Sequence, residues 1–192
     1  MRHDVNVDGY VYRLRPVTEA DSAFIVDLRG RNGKYLNRGA ATPQAQAAWL
    51  QRYFERSGDF YFVIESAHGM TREGLIGLYD IEPSSGAAQW GRWVLQPGSN
   101  AAVESALLIY RCAFDLLSLT RVYCRTLEDN VQVVAFHDTC GLDRTVDSAI
   151  IDHNGHQRAA VEHTLARSAW PNLSARLERL ASRFADTVAR GA

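Results

Sequence analysis

Three groups of residues in this 192-residue chain have types and spacings that could do chemistry. The first is Gln96-Pro-Gly-Ser-Asn-Ala-Ala102, a run of small residues just ahead of a periodic helix in which Val103, Leu107, Tyr110, Phe114 and Leu117 recur at spacings of four and three. Small side chains let a ligand approach the backbone, and the first turn of a helix offers unpaired N–H groups at the positive end of its dipole. Gln96, Gly98, Ser99, Asn100, Ala101 and Ala102 could therefore cradle a pyrophosphate, although the same residues also suit a plain tight turn. The second group is His137 and His163, since imidazole exchanges protons near neutral pH. His163 shares a strand pattern with Val161 and Leu165, which fits either a satisfied core histidine or a base. The third group is the basic stretch Arg29-Gly-Arg-Asn-Gly-Lys-Tyr-Leu-Asn-Arg38, either a solvated loop or an anion contact through charge-assisted hydrogen bonds.

The whole chain limits these readings. With 46% hydrophobic and 22% charged residues it has the composition of one folded domain with a sizeable core. A formal net charge of -1 argues against a nucleic-acid partner, which usually demands a basic excess. Cys112, Cys124 and Cys140 are odd in number and lack metal-ligand spacing, so reduced thiols and no metal are expected. No stretch approaches the roughly 20 apolar residues that span a bilayer, and the first residues lack an apolar signal core. A cytoplasmic protein with no membrane partner is the expectation.

The elements that must position these groups follow from periodicity. Residues 10–15 alternate as a strand, and Thr18 with Asp21 forms a capping-box variant before a helix that carries Phe24 and Leu28. Thr42 and Pro43 open a second helix, with Trp49 and Tyr53 on one face. Residues 60–65, 75–81 and 89–95 read as an antiparallel meander. After the long helix come a strand over 121–127, a short helix from Asn130 to a stop at Gly141, and strands 145–151 and 157–166 around the tight turn Asn154-Gly155. A last amphipathic helix carries Leu173, Leu177, Leu180, Phe184 and Val188. It could cover the sheet or meet a second copy in a homodimer, and covering its own sheet is the simpler outcome.

This order of elements resembles the GNAT superfamily of N-acetyltransferases over roughly residues 10–170. Leu-Arg-Pro-Val-Thr-Glu-Ala-Asp, residues 14–21, is similar to that family's opening strand and cap. The strongest match is Asn130-Val-Gln-Val-Val-Ala-Phe-His-Asp-Thr-Cys-Gly-Leu142, in which Asn130 and Gly141 hold the family's places, Leu142 replaces a Phe, and His137 occupies the slot of a Tyr. The resemblance implies an α/β fold: a mixed, mostly antiparallel sheet flanked by helices and splayed to hold acyl-CoA, in a domain of residues 1–170 with the helix of 171–192 packed on it. It further implies acetyl-CoA as co-substrate, with its pantetheine arm beside Val94 and Asn130, its phosphates at residues 96–102, and direct attack of an amine on the thioester. His137 would then protonate the departing thiolate, with His163 as a second catalytic candidate. At the phosphate loop the chain departs from the family, because Pro97 falls where Arg or Gln is usual. Glu104, at the start of the following helix, would have to point away from the phosphates.

The acceptor wall, by the same resemblance, takes in the basic stretch, so Arg31 and Arg38 are expected there. Tyr79, Asp80 and Glu162 are candidates for accepting a proton, and Arg92 for meeting an anion. Gly91 supplies the backbone freedom for the bulge the family has in this strand. The acceptor expected on this basis is the amino group of a nucleotide-linked sugar, whose diphosphate would explain the arginines. A protein N-terminus is the alternative, since the opening helices are similar to the ribosomal-protein acetyltransferase branch. A domain that binds acyl-CoA without turnover is a third reading, prompted by the missing Tyr.

Overall fold

The computed structural model describes residues 3–145 and 149–191. β1 (Val7–Asp8) and β2 (Tyr12–Pro16) open the chain. A 3₁₀ turn at Glu19–Asp21 leads into α1 (Ser22–Arg31). α2 (Pro43–Tyr53) starts with Pro43, whose fixed φ suits a first helical position, and the Thr42 hydroxyl accepts the Ala45 N–H. The meander is β3 (Phe60–Ser66), β4 (Arg72–Glu82) and β5 (Ala87–Leu95). α3 (Ala102–Arg111) passes into a π-helical turn at Cys112–Leu116, so the helix expected to run evenly to Leu117 changes its hydrogen bonding part way.

β6 (Arg121–Leu127) precedes α4 (Val131–Cys140), which ends where Gly141 turns left-handed at φ 71°. Three strands follow: β7 (Asp143–Arg144), β8 (Ala149–His153) and β9 (His156–Ala166). The turn between the last two has Asn154 at φ 58° and Gly155 at φ 85°, the paired positive angles that this dipeptide tolerates. Of the strand expected over 145–151, residues 146–148 lie outside the described residues. α5 (Trp170–Gly191) completes the chain, and among the described residues no helix is long and apolar enough to cross a membrane.

Among the described residues the strands form one sheet in the order β1-β2-β3-β4-β5-β6-β9-β7, with β8 also on β9. Neighbours are antiparallel except β5 and β6. One face, with Leu14, Phe62, Ile76, Trp90 and Val122, packs under α3 and α5, where Leu173, Leu177 and Ala181 are buried. Leu180 falls off that stripe and is 45% exposed. The other face, with Val17, Tyr61, Val63 and Leu75, is covered by Ile25 and Leu28 of α1 and Leu50 and Tyr53 of α2.

A cluster of charges fixes how α1 leaves the sheet. The Arg15 guanidinium donates to both Asp21 oxygens at 2.8 and 2.9 Å and to Glu65 at 3.1 Å, while Asp21 also accepts the Thr18 N–H at 2.8 Å. Burial alone would raise the Asp21 carboxyl, but Arg15 and Thr18 outweigh it and hold it below its ordinary value. A depressed carboxyl adds stability that is present above its unfolded pKa and is lost as pH falls through the folded value. Asp21→Ala should therefore lower the unfolding free energy at pH 7 by about 3 kcal/mol, because the largely buried Arg15 guanidinium loses its two-oxygen partner and keeps only the Glu65 contact. Urea titrations from pH 7 downward should also show a smaller acid-induced loss in the variant. A loss under about 1 kcal/mol at pH 7 would mean that the pair behaves as a screened surface contact.

Candidate active site

β5 and β6 are paired only through Ala87↔Arg121, Ala88↔Val122 and Gln89↔Tyr123, after which they part. The cause lies in β5. Between the pairs Gly77↔Gly91 and Leu75↔Val94 it carries one residue more than β4, and Arg92 absorbs the extra length at φ 51°. Such a bulge bends the strand and increases its twist. Gly91, expected to supply the unusual backbone angle, has a different reason to be glycine: a Cβ there would lie 2.6 Å from the Tyr79 hydroxyl. Beyond Gln89, the edge of β5 that faced β6 has no strand partner, and Val94 lies on that stretch. An extended amide-bearing arm could pair there as a strand would, which fits a pantetheine chain.

A cavity of about 640 Å³ occupies the parting. Trp90 and Cys124 line it from the face under α3, and Tyr61 lines it from the face under α1 and α2. The cavity therefore crosses the sheet, so two reactants could enter from opposite faces and meet between the strands.

His137 of α4 lines this cavity and is only 2% exposed. It is ringed by Trp90, Trp93, Phe136 and His163 at centroid distances of 5.3, 6.2, 5.5 and 5.2 Å. Burial, reinforced by the nearby His163, pushes its pKa down to about 3, so the ring is neutral at physiological pH and offers a neutral N–H rather than an imidazolium. His163 lies behind it, fully buried and outside the cavity lining, with Nε2 2.9 Å from Asp138 Oδ1. That contact puts the hydrogen on Nε2 and makes the ring a support for α4. The Nδ1 atoms of both rings are buried without a partner. Burial pushes the Cys124 thiol well up, so it stays protonated and is a poor nucleophile.

The other expected residues divide. Tyr79, Arg92, Arg38 and Asn130 line the cavity. The Tyr79 hydroxyl, raised to about 12 by burial, remains protonated. Arg92 is spoken for by Asp59, to which it donates at 2.6 and 2.8 Å. Asp80 sits at a second bulge in β4 with φ 52° and lines a separate surface depression, shared with Glu162. Arg31 is absent from the cavity lining; its exposed guanidinium pairs with Asp27, one helical turn back, at 2.7 Å. Arg29 lines the cavity in its stead and donates to Asn37 O at 2.7 Å. Asp152 and His153 of β8 line it as well. Sequence reasoning missed both, and the signal it had was their place directly before the Asn154-Gly155 turn.

The 96–102 loop lies outside the cavity lining, at the start of α3. Gly98 is at φ 81° with open space around it, and the first backbone bond of α3 runs from Ser105 N–H to Ala101 O. Ahead of it the Ser99 N–H goes to Gln96 O and the Ala101 N–H to the Ser99 hydroxyl, while the amides of residues 102–104 lack helical acceptors, as an anion site would need. Glu104 does point elsewhere: its buried carboxylate accepts the Val11 N–H at 3.1 Å and that of Tyr10 at the β1–β2 connection. Among the described residues no group of three or more His, Cys, Asp or Glu is arranged to hold a metal.

Comparison with known proteins adds to this geometry. The structure is similar to apo FdhC, a nucleotide-linked sugar GNAT, with a TM-score of 0.80 and 24% identity over 93% of this chain and 99% of that one. A GCN5-related N-acetyltransferase from Brucella melitensis gives a TM-score of 0.78 at 19% identity, covering 92% of this chain and 85% of that chain. A mutant of SpeG, a spermidine N-acetyltransferase from Vibrio cholerae, gives 0.74 at 18% identity over 86% of this chain and 99% of the other. No curated protein sequence matches the chain. The family profile described as an acetyltransferase (GNAT) domain matches residues 12–143, from β2 through α4, and with that match over most of its length the protein belongs to the GNAT family of acetyltransferases.

Proposed function

We propose that the protein transfers an acetyl group from acetyl-CoA to the primary amine of an anionic acceptor, a nucleotide-linked amino sugar. The observation that carries this reading is the charge of the cavity wall. Arg92 and Arg125 are paired with Asp59 and Glu162, but Arg29 and Arg38 have no carboxylate partner among the described residues. Asp152 is the single carboxylate in the lining. A polyamine acceptor would call for the opposite balance, whereas a diphosphate suits guanidinium groups well. The likeness to a nucleotide-linked sugar GNAT agrees in direction.

In the transfer the neutral amine nitrogen bonds to the acyl carbon, the carbon–sulfur bond breaks with its electron pair leaving on sulfur, and the proton that nitrogen sheds balances the one the thiolate takes up to leave as the coenzyme A thiol. His137 contributes a neutral N–H donor to that developing charge, in a buried aromatic setting where such a donor acts strongly. Alignment of the reactants across the parted strands supplies the rest.

Mass spectrometry of reactions with acetyl-CoA and a panel of nucleotide amino sugars, spermidine and short peptides should show acetylation of the nucleotide sugars. Acetylation of peptides or spermidine alone would overturn the acceptor class, and coenzyme binding without turnover on any amine would overturn the enzyme reading. Arg38→Ala should raise the acceptor KM about ten- to a hundredfold, the range for charge-assisted contacts, with the acetyl-CoA KM within about twofold. Arg31→Ala, remote from the cavity, should change neither. His137→Phe should lower kcat about 100-fold with coenzyme affinity intact. The buried imidazole also predicts acid sensitivity. Its folded pKa of about 3 lies below the unfolded 6.5, so the unfolded chain takes up a proton that the fold refuses. Stability should fall by about 1.4 kcal/mol per unit as pH drops below 6.5, and His137→Phe should lose that slope.

A further inference from the structure

Residues 33–40 form a strap over the acceptor side of the cavity, and Tyr35, Leu36, Asn37 and Arg38 all line it. Three contacts tie this strap to the rest of the molecule. Arg29 of α1 donates to Asn37 O at 2.7 Å, and the Tyr35 hydroxyl donates to Asp129 O at 3.1 Å. The third contact comes from the β8–β9 turn: Asn154 Oδ1 accepts the backbone N–H of Arg38 at 2.6 Å, and Asn154 Nδ2 faces Leu36 O at 3.5 Å and His153 Nε2 at 3.2 Å.

The chemistry of these partners fixes the orientation of the amide. A backbone N–H can only donate and a carbonyl can only accept, so the Asn154 oxygen must face Arg38 and its nitrogen must face Leu36. His153 Nε2 then accepts, which leaves the hydrogen on Nδ1. One side chain thereby grips two strap residues and sets the tautomer of a cavity histidine.

We propose that Asn154 is a positioning residue for acceptor binding: it clasps the strap to the β8–β9 hairpin and so holds Arg38 at the cavity wall. This rests on the acceptor reading above. A plain turn role would explain an asparagine at φ 58° without any clasp, since Asn favours the left-handed region at this position of a tight hairpin. Glycine serves the turn equally well and removes the grip.

Asn154→Gly and Asn154→Asp separate the two. Asp keeps the oxygen that accepts from Arg38 but loses the amide hydrogens offered to Leu36 and His153. Amide hydrogen exchange, read by NMR on the free protein, tests the clasp without any acceptor. Exchange at Arg38 should speed up about three- to tenfold in Asn154→Gly, the range set by a lost hydrogen bond, and less in Asn154→Asp. The melting temperature of either variant serves as the folding control. Kinetics test the consequence. Asn154→Gly should raise the acceptor KM about tenfold with the acetyl-CoA KM unchanged, and should add little once Arg38→Ala is present, because both changes act through one contact. Unchanged exchange at Arg38 in Asn154→Gly would overturn the clasp, as would Asn154→Asp exchanging as fast as Asn154→Gly. Faster exchange with an unchanged acceptor KM, or effects that add fully to those of Arg38→Ala, would overturn the positioning role. If the amine panel yields no acceptor, the exchange arm still decides on the clasp, so failure of the acceptor reading is distinguishable from failure of this one.

Discussion

The structure turns on the forced parting of two parallel strands. β5 and β6 pair over three positions and then diverge, because β5 takes in an extra residue at Arg92. A non-glycine residue in the left-handed region costs about 1–2 kcal/mol, so something must hold it there. Asp59, just before β3, grips the guanidinium with two short hydrogen bonds, and Arg92 lies over the rings of Tyr79 and Tyr61 at 4.2 and 5.4 Å. Burial works against the charge on Arg92, and the Asp59 contacts more than restore it. The Arg92–Asp59 ion pair at the cavity wall is in this sense a brace for the strand opening.

From that opening the division of the molecule follows. The sheet carries a core on each face, one under α3 and α5 and the other under α1 and α2. Neither core closes over the place where β5 and β6 separate, and the cavity lies there with walls from both faces. A reaction between two bound molecules gains most when each has its own approach and their reactive atoms meet at a fixed point. A sheet opened along one seam provides that arrangement with few moving parts.

The two ends of the cavity differ in electrical character. Toward α4 it is aromatic, and the cost of charging a buried imidazole keeps His137 neutral. At the strap it is polar, with Arg29 and Arg38 free of carboxylate partners among the described residues. On the proposed function, the thioester would react in the first environment and an anionic handle would be held in the second.

Periodicity made the helices, the meander and the Asn154-Gly155 turn legible, since side-chain burial repeats at the spacing of local geometry. The Asn130-to-Leu142 stretch placed His137 on α4, and the run of small residues placed a turn at Gly98 ahead of α3. Local spacing could not reveal that Asp27 would capture Arg31 and leave Arg29 and Arg38 at the wall, because helices present residues in directions only packing decides. Nor could it show that Arg92 rather than Gly91 bears the positive φ, since that depends on register with β4. The charge state of His137 came from the aromatic shell assembled around it, and Asp152 and His153 reached the cavity only when the β8–β9 hairpin folded against the strap. Sequence by itself determined the main helices and strands, because their burial repeats locally. Burial, register and long-range pairing, which join residues more than a hundred positions apart, decided which side chains meet.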